Sequence, residues 1–371
     1  MKNKEKIKDK TNDNPSKKNT KDEEKKSHKF LRKIITTFIL IILVFLIFFG
    51  IIASTKIHTF LKLSKEMIKN ESSDILDSDG NTIAKIGCER VRENVSFDQI
   101  PDNLKNAYVS IEDQRFYKHH GVDIKRTCGA ILTYIKNLGS ANFGGSTITQ
   151  QLVKNLTSDD SASASRKIKE WVYAIALESS LSKDEILGAY LNIIYVGPNI
   201  YGVQSGAKYY FNKDVSNLSL AECAFLAGIN NAPNSYNPFS ENDRSAKIVK
   251  RTKTVLNKML ELNFIDSDEF DSAILEVDNG LKFSKGASSS GESTVYSYHT
   301  DSLLNEVTQD FAKKNFITED FATNYFALSN STIYSTQNSS IQDIMTDEFS
   351  KKKYIIQSSK NPSSTSQAAM V

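Results

Sequence analysis

Ser110-Ile-Glu-Asp-Gln-Arg-Phe-Tyr-Lys-His-His-Gly121 is the stretch on which the reading of this chain turns. Between Glu112 and His120 it gathers two carboxylates, two aromatic rings and two imidazoles. Asp102–Phe116 shows helical periodicity. Glu112, Phe116, His119 and His120 fall at i, i+4, i+7 and i+8, so they are expected on one helical face. A stripe of that kind points to a lined site with Glu112 as a general base. The plainer alternative is a solvated helix with incidental acids. Asp113 lies about 100° round the helix from Glu112, so the two acids need not share a task.

Working outward, Gly144-Gly-Ser-Thr-Ile-Thr-Gln-Gln-Leu-Val-Lys-Asn155 pairs a tight glycine turn with a helix start. Ser146 or Thr147 can cap that helix, and free N–H groups at a helix N-terminus attract anions. Gln150, Gln151 and Lys154 add neutral hydrogen bonds and one cation. The order of a P-loop is missing. Arg166-Lys-Ile-Lys-Glu170 follows, with Arg166 and Glu170 one turn apart. Lys154, Arg166, Lys167 and Lys169 together could serve a phosphate or pyrophosphate, with Glu170 as a second acid. A capped helix with a surface ion pair is the competing reading. Lys183–Gly197 and Leu220–Gly228 have the apolar spacing of core helices, and Asn230–Pro238 reads as a turn-rich exit loop. Asn192, Tyr195 and Tyr201 are candidates to line a sugar cleft.

The chain has 371 residues, enough for two or three domains, and a net charge of +3. That charge is uneven: residues 1–33 hold 13 Lys or Arg against 6 Asp or Glu. The remainder is mildly acidic, which argues against nucleic acid as a partner. The cysteines (Cys88, Cys128, Cys223) are sparse, odd in number and without metal-type spacing, and are expected as small buried hydrophobes. Ile34–Thr55 is uncharged and apolar, follows Lys29, Arg32 and Lys33, and is long enough to span a bilayer. A cleaved signal peptide competes, with Ala53-Ser-Thr55 as a faint cleavage site, but an uncleaved anchor is preferred. The N-terminus is then cytoplasmic and the bulk of the chain outside the cell.

The expected organisation is a disordered basic tail (1–33), a transmembrane helix (34–55), a catalytic domain with trailing helices (56–285), and a linker with a further fragment (286–371). Ser73–Ile86 reads as a β-hairpin turning at Asp79-Gly80. Helices are expected over Thr147–Asn155, Ser165–Ser180, Lys183–Ile194, Val203–Phe211, Ser219–Asn230, Arg244–Leu262 and Asp266–Leu275. Ser284–Thr294 reads as a linker. A helix over His299–Phe316, a strand near Ser331–Thr336 and a helix near Ser339–Lys352 follow. No sheet partner for that strand is visible, leaving an unpaired edge.

Five motifs in order, EDQRFYKHHG, GGSTITQQLVKN, RKIKE, KDEILGAYLNIIYVG and LSLAECAFLAGINNAPNSYNP, resemble those of the family-51 peptidoglycan glycosyltransferases. These occur in class A penicillin-binding proteins and monofunctional transglycosylases, and the likeness covers about residues 73–275. It implies a mainly α, lysozyme-like fold with a short N-terminal β-hairpin, one preceding transmembrane helix and a following incomplete α+β segment. The implied reaction polymerises lipid II with inversion, Glu112 deprotonating the acceptor 4-hydroxyl as undecaprenyl pyrophosphate leaves. Lys154, Arg166 and Lys167 are implied to stabilise the pyrophosphate, and Glu170 is implied as the second essential acid. Asp113, Phe116, His119, Ser146, Thr147, Gln150 and Gln151 are the further candidates for substrate binding. His119 and His120 are expected to brace the cleft rather than to catalyse. The resemblance leaves room for a divalent cation, Mg or Mn, at the pyrophosphate and calls for no organic cofactor. Implied partners are lipid II, the growing glycan strand, the cytoplasmic membrane, and other cell-wall synthesis and division proteins.

Two departures stand out. Ser158–Ser165 carries acidic Asp159 and Asp160 where family members often carry a basic residue. The C-terminal stretch resembles the entry to a transpeptidase domain whose K[ST]G element does not occur here, so no transpeptidase activity is expected and the chain reads as truncated. A lysozyme-like hydrolase and an inactive cell-wall scaffold are the rival functions.

Overall fold

A computed structural model describes residues 36–37, 40, 44, 50–51, 53–69, 71–87, 91–129, 145–161, 163–286 and 296–351. The chain divides into two units, Met1–His58 and Thr59–Val371. In the first, the described residues are helical. Among the described residues no helix is long and apolar enough to cross a membrane. Most of the expected span Ile34–Thr55, and the basic tail, lie outside the described residues.

The second unit is mainly helical, as expected. It opens with α1 (59–67), whose Phe60, Leu63 and Met67 are buried at i, i+3 and i+7. Strands β1 (Ser73–Leu76) and β2 (Thr82–Ile86) form the expected antiparallel hairpin. Its turn is organised by Asp77, whose Oδ1 accepts the Asp79 and Asn81 N–H groups at 2.9 and 2.8 Å, with Gly80 at φ +87°.

Helix α2 (Asp102–Glu112) buries Leu104, Tyr108 and Val109 and packs against α8 (Leu220–Gly228), where the Tyr108 hydroxyl donates to the Leu226 carbonyl at 3.1 Å. Here the structure corrects the expected stripe. α2 stops at Glu112, Asp113 leaves the helical region at φ −152°, ψ 75°, and only Phe116–Lys118 resume a short 3-10 turn. Glu112, Phe116, His119 and His120 therefore share no helical face. The reason is tertiary: Asp113 turns inward to bond another helix.

That other helix is α4 (Ile148–Thr157), which follows the start of α3 (124–129). α5 (Ala164–Glu178) and α6 (Lys183–Ile193) pack on α4. β4 (Tyr195–Gly197) and β5 (Ile200–Tyr201) pair with each other and with β3 (Val91–Arg92) in a small sheet of order β3-β5-β4 that the sequence did not suggest. α7 (Val203–Phe211), α9 (Ser245–Glu261) and α10 (Ser267–Asp278) complete the helical body. Ser219 and Glu222 form the expected capping box on α8.

Most of the expected linker lies outside the described residues. Beyond it come α11 (Tyr298–Asn315), α12 (Glu319–Leu328), β6 (Thr332–Tyr334) and α13 (Ser339–Ser350). α12 was not expected. The supposed unpaired strand is a second correction: β6 runs parallel to β1, Ile75 opposite Ile333, in a sheet of order β2-β1-β6. A parallel partner more than two hundred residues away leaves no local signal. Cys223 is buried as expected, but Cys128 is exposed.

Candidate active site

The carboxylate of Glu112 sits at the C-terminal end of α2, where two neutral amides hold it. Gln151 Nε2 on α4 donates to Oε2 at 2.9 Å, and Asn230 Nδ2, just beyond α8, donates to Oε1 at 3.1 Å. The amides are themselves fixed. The Tyr190 hydroxyl on α6 donates to Gln151 Oε1 at 2.9 Å and accepts from Asn230 Nδ2 at 2.8 Å. Burial, and then the nearby Glu112 charge, hold the Tyr190 phenol far above its ordinary pKa, so it remains a donor. An ionised carboxylate has about four lone-pair positions, and two amides leave acceptor capacity for an incoming hydroxyl.

These groups line a cleft of about 500 Å³. Ser146 and Lys154 from the predicted set lie on its wall, with Asn155, Tyr195, Arg126 and Arg251. Arg126, on α3, donates to the Glu112 main-chain carbonyl at 2.5 Å. Lys154 Nζ is 2.8 Å from Asp160, so the acidic loop supplies a counter-ion to the cleft lysine.

A second charged group is connected to the cleft through Ser146. Lys167 Nζ donates to Ser146 Oγ at 2.7 Å and also pairs with Glu170. Arg166 Nη1 reaches the other Glu170 oxygen at 2.7 Å. Glu170 is buried, and the i−3 and i−4 positions of Lys167 and Arg166 on α5 bring both cations to it. Lys169 is exposed on the same helix.

The remaining candidates stand behind the cleft. Asp113 is fully buried, and its Oδ2 accepts from the Ile148 N–H at 3.0 Å, so the N-terminus of α4 already holds a protein carboxylate. His119 Nε2 lies 2.8 Å from the same oxygen. Phe116 is buried edge-on to His119, with Lys183 Nζ 4.4 Å from its ring centre. Thr147 and Gln150 form the capping box of α4, both buried, and the Thr147 hydroxyl donates to the Gly121 carbonyl at 2.7 Å. Gly121 has φ +85°, and a Cβ there would lie 2.6 Å from the Ala174 carbonyl carbon on α5. Asp113, Phe116, His119, Thr147 and Gln150 are thus the support of α4 rather than the surface of the cleft. Asn192 is likewise a brace, bonding Val95 through both its amide atoms.

Residues 79–260 match the Transglycosylase family model. The chain is 42% identical over 279 residues to "Penicillin-binding protein 1A" of Clostridium perfringens (strain 13), covering 73% of this chain and 41% of that protein. It is 41% identical over 266 residues to "Penicillin-binding protein 1A" of Clostridium botulinum (strain Langeland), covering 70% and 32%. Residues 79–260 belong to the transglycosylase family. The resemblance read from the five motifs is borne out for this domain, while the chain spans well under half the length of these relatives.

Within the transglycosylase domain, the sequence reading missed Asn230, Tyr190, Arg126 and Arg251. Tyr190 sits inside an apolar helix and reads as core, yet a buried tyrosine hydroxyl needs a partner, and that was the available signal. Asn230 lies in the fifth motif where α8 gives way to the exit loop, and nothing local names Glu112 as its partner. Among the described residues, no group of three or more His, Cys, Asp or Glu could hold a metal ion. Glu112 is engaged by amides and Glu170 by two cations, so the described donors do not fit a resident divalent ion.

Proposed function

We propose that this chain is a membrane-anchored peptidoglycan glycosyltransferase that polymerises lipid II, with Glu112 as the general base. The observation that carries the proposal is the Glu112 carboxylate, held by Gln151 and Asn230 in the cleft that Lys154 lines. In the proposed step the acceptor 4-hydroxyl gives its proton to Glu112 while its oxygen bonds to the anomeric carbon of the growing strand. The bond from that carbon to the pyrophosphate oxygen breaks with its electron pair, the anomeric centre inverts, and undecaprenyl pyrophosphate leaves. Negative charge grows on the leaving group, so positive side chains must lie close by. Lys154, with Arg166 and Lys167 oriented by Glu170, supplies them. A divalent cation taking part would arrive on the pyrophosphate oxygens.

Ile34–Thr55 is the proposed single-pass anchor, with the N-terminus cytoplasmic. An enzyme fixed at the membrane meets a water-insoluble lipid donor without extracting it. The growing glycan strand is the second substrate, and other cell-wall synthesis and division proteins are proposed partners.

Most glycoside hydrolases work with a pair of carboxyl groups, one of which protonates the leaving oxygen. Among the described residues lining the cleft, Glu112 is the one carboxyl, which favours transfer over hydrolysis. The deciding experiment incubates purified full chain with lipid II and separates the products by size. Polymer is expected from the native chain, and Glu112→Gln should lower the rate about 10³-fold. Undiminished polymerisation by that variant would overturn the assignment.

A further inference from the structure

Past Lys154 and Asn155 the cleft is adjoined by a second hollow of about 420 Å³, which shares both residues and Tyr195. One wall of it comes from outside the transglycosylase domain, where α12 contributes Asn324 and Leu328. α12 is anchored to the body through its main chain and Tyr325. The Arg92 Nη2 group donates to the Ala327 carbonyl at 2.8 Å, the Glu71 N–H donates to the Leu328 carbonyl at 3.1 Å, and the Tyr325 hydroxyl bonds Glu66.

Asn324 is almost wholly buried, and its Nδ2 donates to the Asn155 and Leu156 carbonyls at 2.8 and 2.9 Å. Both carbonyls belong to the last turn of α4, where a helix leaves its C=O groups without intrahelical partners. The chain turns off immediately afterwards, Ser158 standing in the left-handed region at φ 49°. The Thr157 hydroxyl lies 3.5 Å from the Lys154 carbonyl, and the amide of Asn324 takes the next two carbonyls from more than 160 positions away.

We propose that Asn324 is a positioning residue for the cleft. By closing the carbonyl end of α4 it holds Lys154 and Asn155 at the junction of the two hollows. It thereby sets how the cations at this end of the cleft meet the phosphate-bearing end of the substrate, while the groups that hold Glu112 keep their own anchors. The difference follows from where the anchors lie. Gln151, one turn earlier, is fixed by Tyr190 and by Glu112 itself. Lys154 is paired with an exposed Asp160 and depends on the course of the last turn. The inference rests on the glycan-polymerising reading for its kinetic arm and on geometry alone for its exchange arm.

The test compares the full native chain with Asn324→Ala and Asn324→Ser, reading lipid II polymerisation kinetics, thermal unfolding, and amide hydrogen exchange over residues 152–158. Loss of both donors in Asn324→Ala should lower kcat/KM about five- to tenfold, the effect of one or two hydrogen bonds, without moving the pH dependence that the Glu112 base sets. Exchange in the last turn of α4 should quicken. Asn324→Ser, which keeps one donor and suits the same space, should fall in between, and it carries the test if Asn324→Ala does not fold. An unchanged kcat/KM in either folded variant, or a shifted pH dependence of kcat/KM, overturns the proposal. If the native chain makes no polymer, the functional reading fails instead. The positioning role is then judged by exchange alone, and unchanged exchange in Asn324→Ser overturns it.

Discussion

Glu112 and Glu170 are the same side chain in two unlike settings. Among the described residues Glu112 accepts from two neutral donors, Gln151 and Asn230, on the wall of a cleft. Glu170 is buried between Arg166 and Lys167, with its charge spent on holding two cations. The first arrangement fixes a carboxylate in place and leaves it able to take a proton. The second makes the acid a strut, and its use to the site is the placement of positive charge. Two essential-looking acids in one motif set therefore divide the labour, and the division comes from their partners rather than from the residue type.

Substitutions can break this contrast in order of size. Glu112→Gln removes the base, and polymerisation should fall about 10³-fold with little change in melting temperature. Glu170→Gln leaves two partly buried cations without their counter-ion, so both folding and activity should suffer. The stability loss should be about 1–3 kcal/mol, measurable by urea unfolding, and activity should fall further than occupancy of the folded state explains. A purely local catalytic defect with unaltered stability would argue against the strut role. Asn230→Ala strips one of the two amides from Glu112 and should cost about tenfold in kcat, with KM changed less.

The smallest effect belongs to a carboxylate far from this chemistry. The Ser339 hydroxyl first, then the Asn81 main-chain N–H, lower the Asp77 pKa from 3.8 to about 2. A depressed folded pKa contributes stability that is fully present above the unfolded value and is lost as pH falls through the folded one. Native protein should therefore outmelt Asp77→Asn above about pH 4, and the gap should close between about pH 4 and pH 2. A gap independent of pH would show that the hairpin turn, rather than the carboxylate charge, carries the effect.

Much of this molecule is legible in order along the chain. The helices from 148 to 278 announce themselves through apolar spacing and capping pairs such as Ser219 and Glu222, because both signals are local. Glu112, Lys154 and Glu170 stand in motifs that resemblance ties to chemistry. What the sequence misplaced were features resting on distant contact. The helix through Glu112 stops early because Asp113 caps α4, a helix thirty-five residues on. β6 finds β1 across most of the chain, and α12 finds the end of α4.

The sequence by itself determined which residues this protein has to work with: the acids Glu112 and Glu170, a set of cations near them in the chain, and a run of core helices. The tertiary structure decided their roles. It placed Asp113, Phe116 and His119 beneath the cleft and Glu112 on its wall, brought Tyr190 and Asn230 to it from motifs that read as core and exit loop, and brought Asn324 from a segment with no motif. Local propensity and spacing act over one or two turns, whereas the partner that turns a carboxylate into a base or a strut is chosen by packing.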